Sequence, residues 1–231
     1  MTTKACVMHS IEDLGIEEFT LPAITESQVC VHIGSGGIVD SDLQCLQHGG
    51  FGTVRATEPM ELGHEVAGTV EAVVANVSRI SDRIALNPSC SCGRCKFCQV
   101  GEQMNCKEMW FYGCAKRMPH SQGVFRQHVV AEEYQCEPLE TKISLREAAF
   151  PEQLAVALHA VNQAESLAKK KVSTPGACLI GNLVTDADRH TAALEVIATD
   201  LHDAARIRYD PIDLVSSDKG KELVKRLLAI N

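Results

Sequence analysis

The sequence predicts a mixed α/β protein, with an all-β module followed by an α/β module. Three observations predict it. In the first 140 residues, short alternating apolar runs end at glycine or proline. From Ser144 onward, Leu154, Ala155, Leu158 and Val161 recur at helical spacing through Leu167. After Lys169-Lys170-Lys171 come a strand-like piece, two spaced glycines and further helical and strand-like segments. The expected division is a metal-binding module over residues 1–150, then a linking helix and an incomplete α/β unit over 151–231.

The elements follow in order. Val29, Val31 and Ile33 alternate with Cys30 and His32, a half-buried strand expected to end at Gly34 and the Gly36-Gly37 pair. Ala67–Val74 and Arg83–Leu86 read as strands, the second stopped by Asn87-Pro88. Ser144 is placed to cap the helix that follows. The last stretch, Ser217–Asn231, has an amphipathic pattern, with Leu223, Val224, Leu227 and Leu228 opposite Lys221, Lys225 and Arg226.

Composition narrows the function. The chain has 231 residues, enough for a sizeable core, and 22 basic against 30 acidic residues give a net charge of -8. That balance argues against a nucleic-acid or anionic-membrane surface. The opening MTTKACVMHS lacks the apolar core of a signal peptide, and no run reaches the ~18 apolar residues of a membrane span. The expected compartment is the cytoplasm, where clustered thiols act more often as metal ligands than as disulfides.

Five of the 11 cysteines fall between Cys90 and Cys106. Cys92, Cys95, Cys98 and Cys106 have the spacing C-x2-C-x2-C-x7-C. Short C-x2-C steps wrap two thiolates around one ion, and the distant fourth closes a tetrahedron, which suits a structural zinc with no open position for substrate. An iron–sulfur cluster uses similar spacing, but no Cys-Pro signal follows here. Cys90 stands outside the pattern.

These cysteines lie within a wider set of motifs. Gly63-His64-Glu65-Val66-Ala67-Gly68, Asp82-Arg83-Ile84-Ala85-Leu86-Asn87-Pro88, Phe111-Tyr112-Gly113, Pro119-His120, Gly123-Val124-Phe125 and Glu152-Gln153-Leu154-Ala155-Val156 follow one another in order. Together they make the chain resemble the zinc-containing medium-chain dehydrogenases, in the branch acting on polyols such as L-idonate and sorbitol. The resemblance implies a GroES-like catalytic domain followed by a Rossmann-type dinucleotide domain. It further implies a small polyol substrate oxidised at a secondary alcohol, and NAD or NADP as hydride acceptor. Carried over position by position, it makes His64, Glu65 and Glu152 ligands of a second, catalytic zinc, and Ser41 the hydroxyl that passes on the substrate proton. Tyr112 and His120 are placed by it near a polyol pocket, packing being the other reading.

Around the expected catalytic zinc, the segment after Gly37 departs from the family pattern, as does Gln153, which stands in place of a proline. Val39 stands where a thiolate ligand is expected, and Gln44 stands where a histidine assists the proton relay. Cys45, further along the same segment, reads as a small buried hydrophobe rather than a substitute ligand.

In the second module, Gly176-Ala177-Cys178-Leu179-Ile180-Gly181 occupies the place of the G-x-G-x-x-G turn, with Gly176, Ile180 and Gly181 as cofactor contacts. Asp200 follows the strand-like Leu194–Thr199, where its carboxylate would bind the adenosine ribose and favour NAD over NADP. Cys178 replaces the middle glycine, and Val172-Ser173-Thr174-Pro175 is polar for a buried parallel strand. About 60 residues follow Lys170, whereas each βαβ unit needs ~30 and a complete dinucleotide domain well over ~100. Two functions therefore stand side by side: a polyol dehydrogenase, and a non-catalytic, truncated relative that keeps only its structural zinc lobe.

Overall fold

The computed structural model describes residues 1–73, 82–176 and 178–199. It separates into two units, Met1–Phe150 and a second that begins at Pro151. Asp200 and the segment Ser217–Asn231 lie outside the described residues.

The first unit is β-rich. Strands β1 (Thr2–Ser10), β2 (Asp13–Thr20) and β3 (Gln28–Gly37) precede helix α1 (Asp40–His48). A short ribbon, β4 (Gly50–Phe51) with β5 (Val54–Arg55), leads to β6 (Met60–Glu61), β7 (Glu65–Val73) and β8 (Arg83–Leu86). Next come β9 (Ser89–Cys90), helix α2 (Lys96–Gln99), β10 (Trp110–Phe111), β11 (His128–Glu132) and β12 (Cys136–Pro138). The main sheet has the order β11-β3-β7-β8-β12, and a second sheet has the order β2-β1-β6. Every pairing in these two sheets is antiparallel.

The alternation that predicts β3 is realised. Val29 and Val31 are 0% exposed and pack with Val66, Val70, Ile84, Leu86, Val124 and Val129. Burial of such branched side chains is worth roughly 1.5–3 kcal/mol each, which makes this face the main source of the unit's stability. β3 runs past Gly34 to Gly37 because β7 pairs with it through Gly37↔Glu65, with a register shift between Ile33 and Ser35 that absorbs the glycines.

Ser144 caps a different element from the one expected. Its backbone N–H and hydroxyl donate to Glu147 Oε2 at 2.8 and 2.6 Å, and its Oγ accepts from Glu147 N at 3.2 Å. This reciprocal pair starts a 3-10 turn over Glu147–Ala149. The longer helix α3 (Pro151–Gln163) begins afresh at Pro151, a residue suited to a first helical position because it has no N–H to satisfy.

The second unit contains α3, β13 (Lys171–Pro175), α4 (Leu179–Arg189) and β14 (Glu195–Thr199). β13 and β14 are parallel, Lys171↔Glu195 through Pro175↔Thr199, with α4 between them in the chain. This is one parallel βαβ step. Its inside is unusual. The buried side chains of α4 include Asn182, Thr185, Asp186 and Asp188, whereas Leu179 and Ile180 are more than 40% exposed. Apolar packing comes from Leu154, Leu158, Val161 and Ala187, with Leu167, Leu183 and Val184 beside them. Among the described residues no helix is long and apolar enough to cross a membrane.

Candidate metal centres and glycine turn

The cysteine lobe is built on the β9–β10 ribbon, where Cys90 pairs with Trp110 and Ser89 with Phe111. The loop leaving β9 carries Cys92, Cys95 is the N-cap of α2, and Cys98 lies inside that helix. Cys106 follows a 3-10 turn over Gln103–Asn105. The four Sγ atoms lie within 4.8 Å of one another. Cys95 and Cys98 are 3.5 Å apart, and Cys92 and Cys98 are 4.0 Å apart. Thiolates bound at ~2.3 Å in a tetrahedron stand roughly 3.8 Å apart, so the quartet fits zinc.

The lobe's own backbone prepares thiolates. Cys95 N–H donates to Cys92 Sγ at 3.4 Å, and Cys92 N–H donates to Cys106 Sγ at 3.3 Å. Backbone N–H groups of Cys98 and Lys107 hold the Cys95 thiol down at about 6, and those of Arg94 and Cys95 lower Cys92. Burial, followed by hydrogen bonds from Cys95 and Cys106, pushes Cys98 up to about 11. A divalent cation bound here would displace the remaining thiol protons. Among the described residues, no other group of three or more His, Cys, Asp or Glu side chains converges this closely. Cys90 is outside it, with its Sγ 2.6 Å from the Tyr134 hydroxyl.

His64 and Glu65 stand together where the chain enters β7, 8% and 3% exposed. The ring of His64 lies 5.3 Å from that of Phe111. Glu65 pairs with Gly37 across β3, where a Cβ would lie 2.7 Å from Glu65 Oε2. Only glycine leaves this carboxylate its place. Asp42, in the first turn of α1, ties the helix to the His64 segment. Its Oδ1 accepts from Gly63 N and its Oδ2 from Val39 N, each at 3.1 Å. Burial raises the Asp42 carboxyl, offset in part by these N–H groups and by His64.

Val39 is the N-cap of α1 and offers a metal no donor atom. Ser41 and Gln44 are half-buried on the same helix. Cys45 packs among Met8, Met60, Leu62 and Ala115, and burial pushes its thiol up, so it serves as a core side chain. Glu152 is half-buried in the first turn of α3, in the second unit.

Neither Tyr112 nor His120 is free to meet a substrate. Tyr112 is 5% exposed in the core of the main sheet, and its hydroxyl donates to Val130 O at 3.5 Å. His120 Nε2 accepts from Thr57 N at 2.9 Å, and Nδ1–H donates to Arg117 O at 2.7 Å. Both ring nitrogens are used to hold loops, and packing is the role the structure gives both residues.

In the second unit, Gly176 has φ +97°, and a Cβ on Gly181 would collide with the Gly176 carbonyl. The first and last glycines of the turn are therefore required by the backbone. Cys178 is the N-cap of α4 and is exposed, and Ile180 is 41% exposed in the first turn. The Asp188 carboxylate accepts from Thr174 Oγ1 at 3.2 Å and ties α4 to β13.

Comparison with known proteins places this geometry. Residues 25–141 match the family model described as the alcohol dehydrogenase GroES-like domain. The L-idonate 5-dehydrogenase (NAD(P)(+)) of Escherichia coli K12 is 35% identical over 199 residues, which cover 86% of this chain and 58% of that protein. A sorbitol dehydrogenase of Bacillus subtilis is 30% identical over 200 residues, covering 86% and 56%. The crystal structure of the Escherichia coli L-idonate 5-dehydrogenase superposes with a TM-score of 0.84 at 33% identity, over 96% of this chain and 61% of that one. The chain thus spans less than two thirds of the length of these relatives. It belongs to the alcohol dehydrogenase GroES-like family, within the zinc-containing medium-chain dehydrogenases.

Proposed function

We propose that the chain carries the site of a zinc-dependent polyol dehydrogenase that passes a hydride from a secondary alcohol to NAD or NADP, with weakened metal binding. The observation that carries this reading is the buried His64-Glu65 pair where the chain enters β7, with Asp42 bonded to the preceding Gly63 N–H and Gly37 leaving room for the Glu65 carboxylate. It is supported by the relatives, which are named as idonate and sorbitol dehydrogenases. His64, Glu65 and Glu152 would hold the catalytic zinc, which when bound supplies a Lewis acid that acidifies the substrate hydroxyl. Ser41 would carry the released proton toward solvent, without the histidine that Gln44 replaces. Gly176, Ile180, Gly181 and Asp200 would hold the dinucleotide, NAD in preference to NADP because of the Asp200 carboxylate. Cys92, Cys95, Cys98 and Cys106 would hold the structural zinc. Such a protein works in the cytoplasm on a small polyol.

The test is nucleotide reduction in the presence of L-idonate, sorbitol and related polyols with added zinc. Slow, zinc-stimulated turnover is expected, increased in Val39→Cys and abolished in His64→Ala. A second reading is favoured by Val39, by the exposed Cys178 and by the buried polar face of α4: a non-catalytic protein whose zinc lobe alone works. No nucleotide reduction by either the wild type or Val39→Cys at saturating zinc would establish it.

A further inference from the structure

Away from both metal centres, the outer face of the main sheet carries a second set of ligand-bearing side chains. His128 on β11 lies directly opposite His32 on β3, with ring centroids 4.9 Å apart. Glu71 comes from β7, on the other side of β3. Its position depends on a bulge: Cys30 pairs with Ala72 while Val31 pairs with Val70, leaving Glu71 as the extra residue. A bulge of this kind re-aims a side chain, and here the carboxylate reaches both imidazoles. Glu71 Oε2 is 3.1 Å from His128 Nε2, and Oε1 is 3.9 Å from His32 Nδ1. Three neighbouring strands thus direct two imidazoles and one carboxylate toward each other.

We propose that His32, Glu71 and His128 form a binding site for a divalent transition ion of the imidazole-preferring class, such as Zn2+ or Ni2+, that clasps β11, β3 and β7. Imidazole and carboxylate donors are the ligand types these ions take. Donors bound at ~2.0–2.1 Å in a tetrahedron stand roughly 3.3 Å apart; His128 Nε2 is already that close to Glu71 Oε2, while His32 Nδ1 faces the other oxygen, Oε1, and must move in from 3.9 Å. The set is more open than the cysteine quartet, and it closes by rotation of His32, whose side chain is 48% exposed. His128 is held more firmly, at 14% exposed. Metal at His128 Nε2 leaves the ring proton on Nδ1, a buried atom with no hydrogen-bond partner. A ligand histidine normally donates that proton to an acceptor, so the affinity is modest.

Calorimetric titration with NiCl2 of the untagged His64→Ala chain, dialysed against a chelator of moderate strength so that only the cysteine quartet keeps its zinc, tests the proposal. One Ni2+ is expected to bind, with His32→Gln or His128→Gln in the same background weakening it at least about tenfold and His9→Ala leaving it unchanged. Ni2+ should also raise the melting temperature of the wild type, and raise it less in either glutamine variant, whose metal-free melting confirms that it folds. No Ni2+ bound in His64→Ala, or binding unchanged in both glutamine variants, would overturn it.

Discussion

The five-stranded sheet of the first unit and the βαβ step of the second come from one family pattern, yet they are built to different standards. In the first, valines and Ile84 on the inner face are at most 2% exposed. In the second, β13 and β14 are exposed or half-exposed apart from Thr174, and α4 turns Asn182, Thr185, Asp186 and Asp188 inward. The antiparallel sheet needs only one apolar face, and alternation along β3 and β11 supplies it. A parallel step buried on both faces needs continuous apolar strands, and Lys171–Pro175 does not supply one. The family's backbone geometry persists in both units, as the Gly176–Gly181 turn shows, while the apolar interior is well developed only in the first.

That contrast gives measurable consequences. The largest is at the cysteine lobe: Cys95→Ser should remove a full zinc equivalent per chain, read by elemental analysis, and melt the loop between β9 and β10. Next, Ile84→Ala should cost about 3–4 kcal/mol in denaturant unfolding, and Leu158→Ala in the second unit about 2 kcal/mol. Equal costs would break the comparison. Gly181→Ala should cost roughly 1–3 kcal/mol, confined by hydrogen exchange to the second unit, because the turn must open to admit the methyl group.

The smallest effect concerns Asp188, whose carboxyl is raised by burial despite its bond from Thr174. A folded-state value above the unfolded one gives stability that is complete below the unfolded value and lost as pH rises through the folded one. Stability should therefore fall slightly as pH rises above the ordinary carboxylate range. In Asp188→Asn that part of the fall disappears, so the difference between the two melting profiles should grow toward neutral pH.

Much of the first unit was legible in the sequence because its signals are local. Period-2 alternation marks β3, Asn87-Pro88 ends β8 at Leu86, and the cysteine spacing anticipates a quartet that does converge. What was not legible depended on partners distant in the chain. β3 outruns Gly34 because β7 pairs with the glycines, and Ser144 bonds to Glu147 of a 3-10 turn while the helix starts afresh at Pro151. His120 reads as a possible pocket residue until Thr57 and Arg117 are seen to occupy its ring. The cluster of His32, Glu71 and His128 joins three strands and a bulge, which no local pattern encodes.

The most direct measurement is zinc per chain, in protein purified without added metal and dialysed against a chelator of moderate strength. One tightly held equivalent is expected, abolished by Cys95→Ser and unchanged by His64→Ala. No retained zinc with the four cysteines intact, or an equivalent lost in His64→Ala and kept in Cys95→Ser, would contradict it.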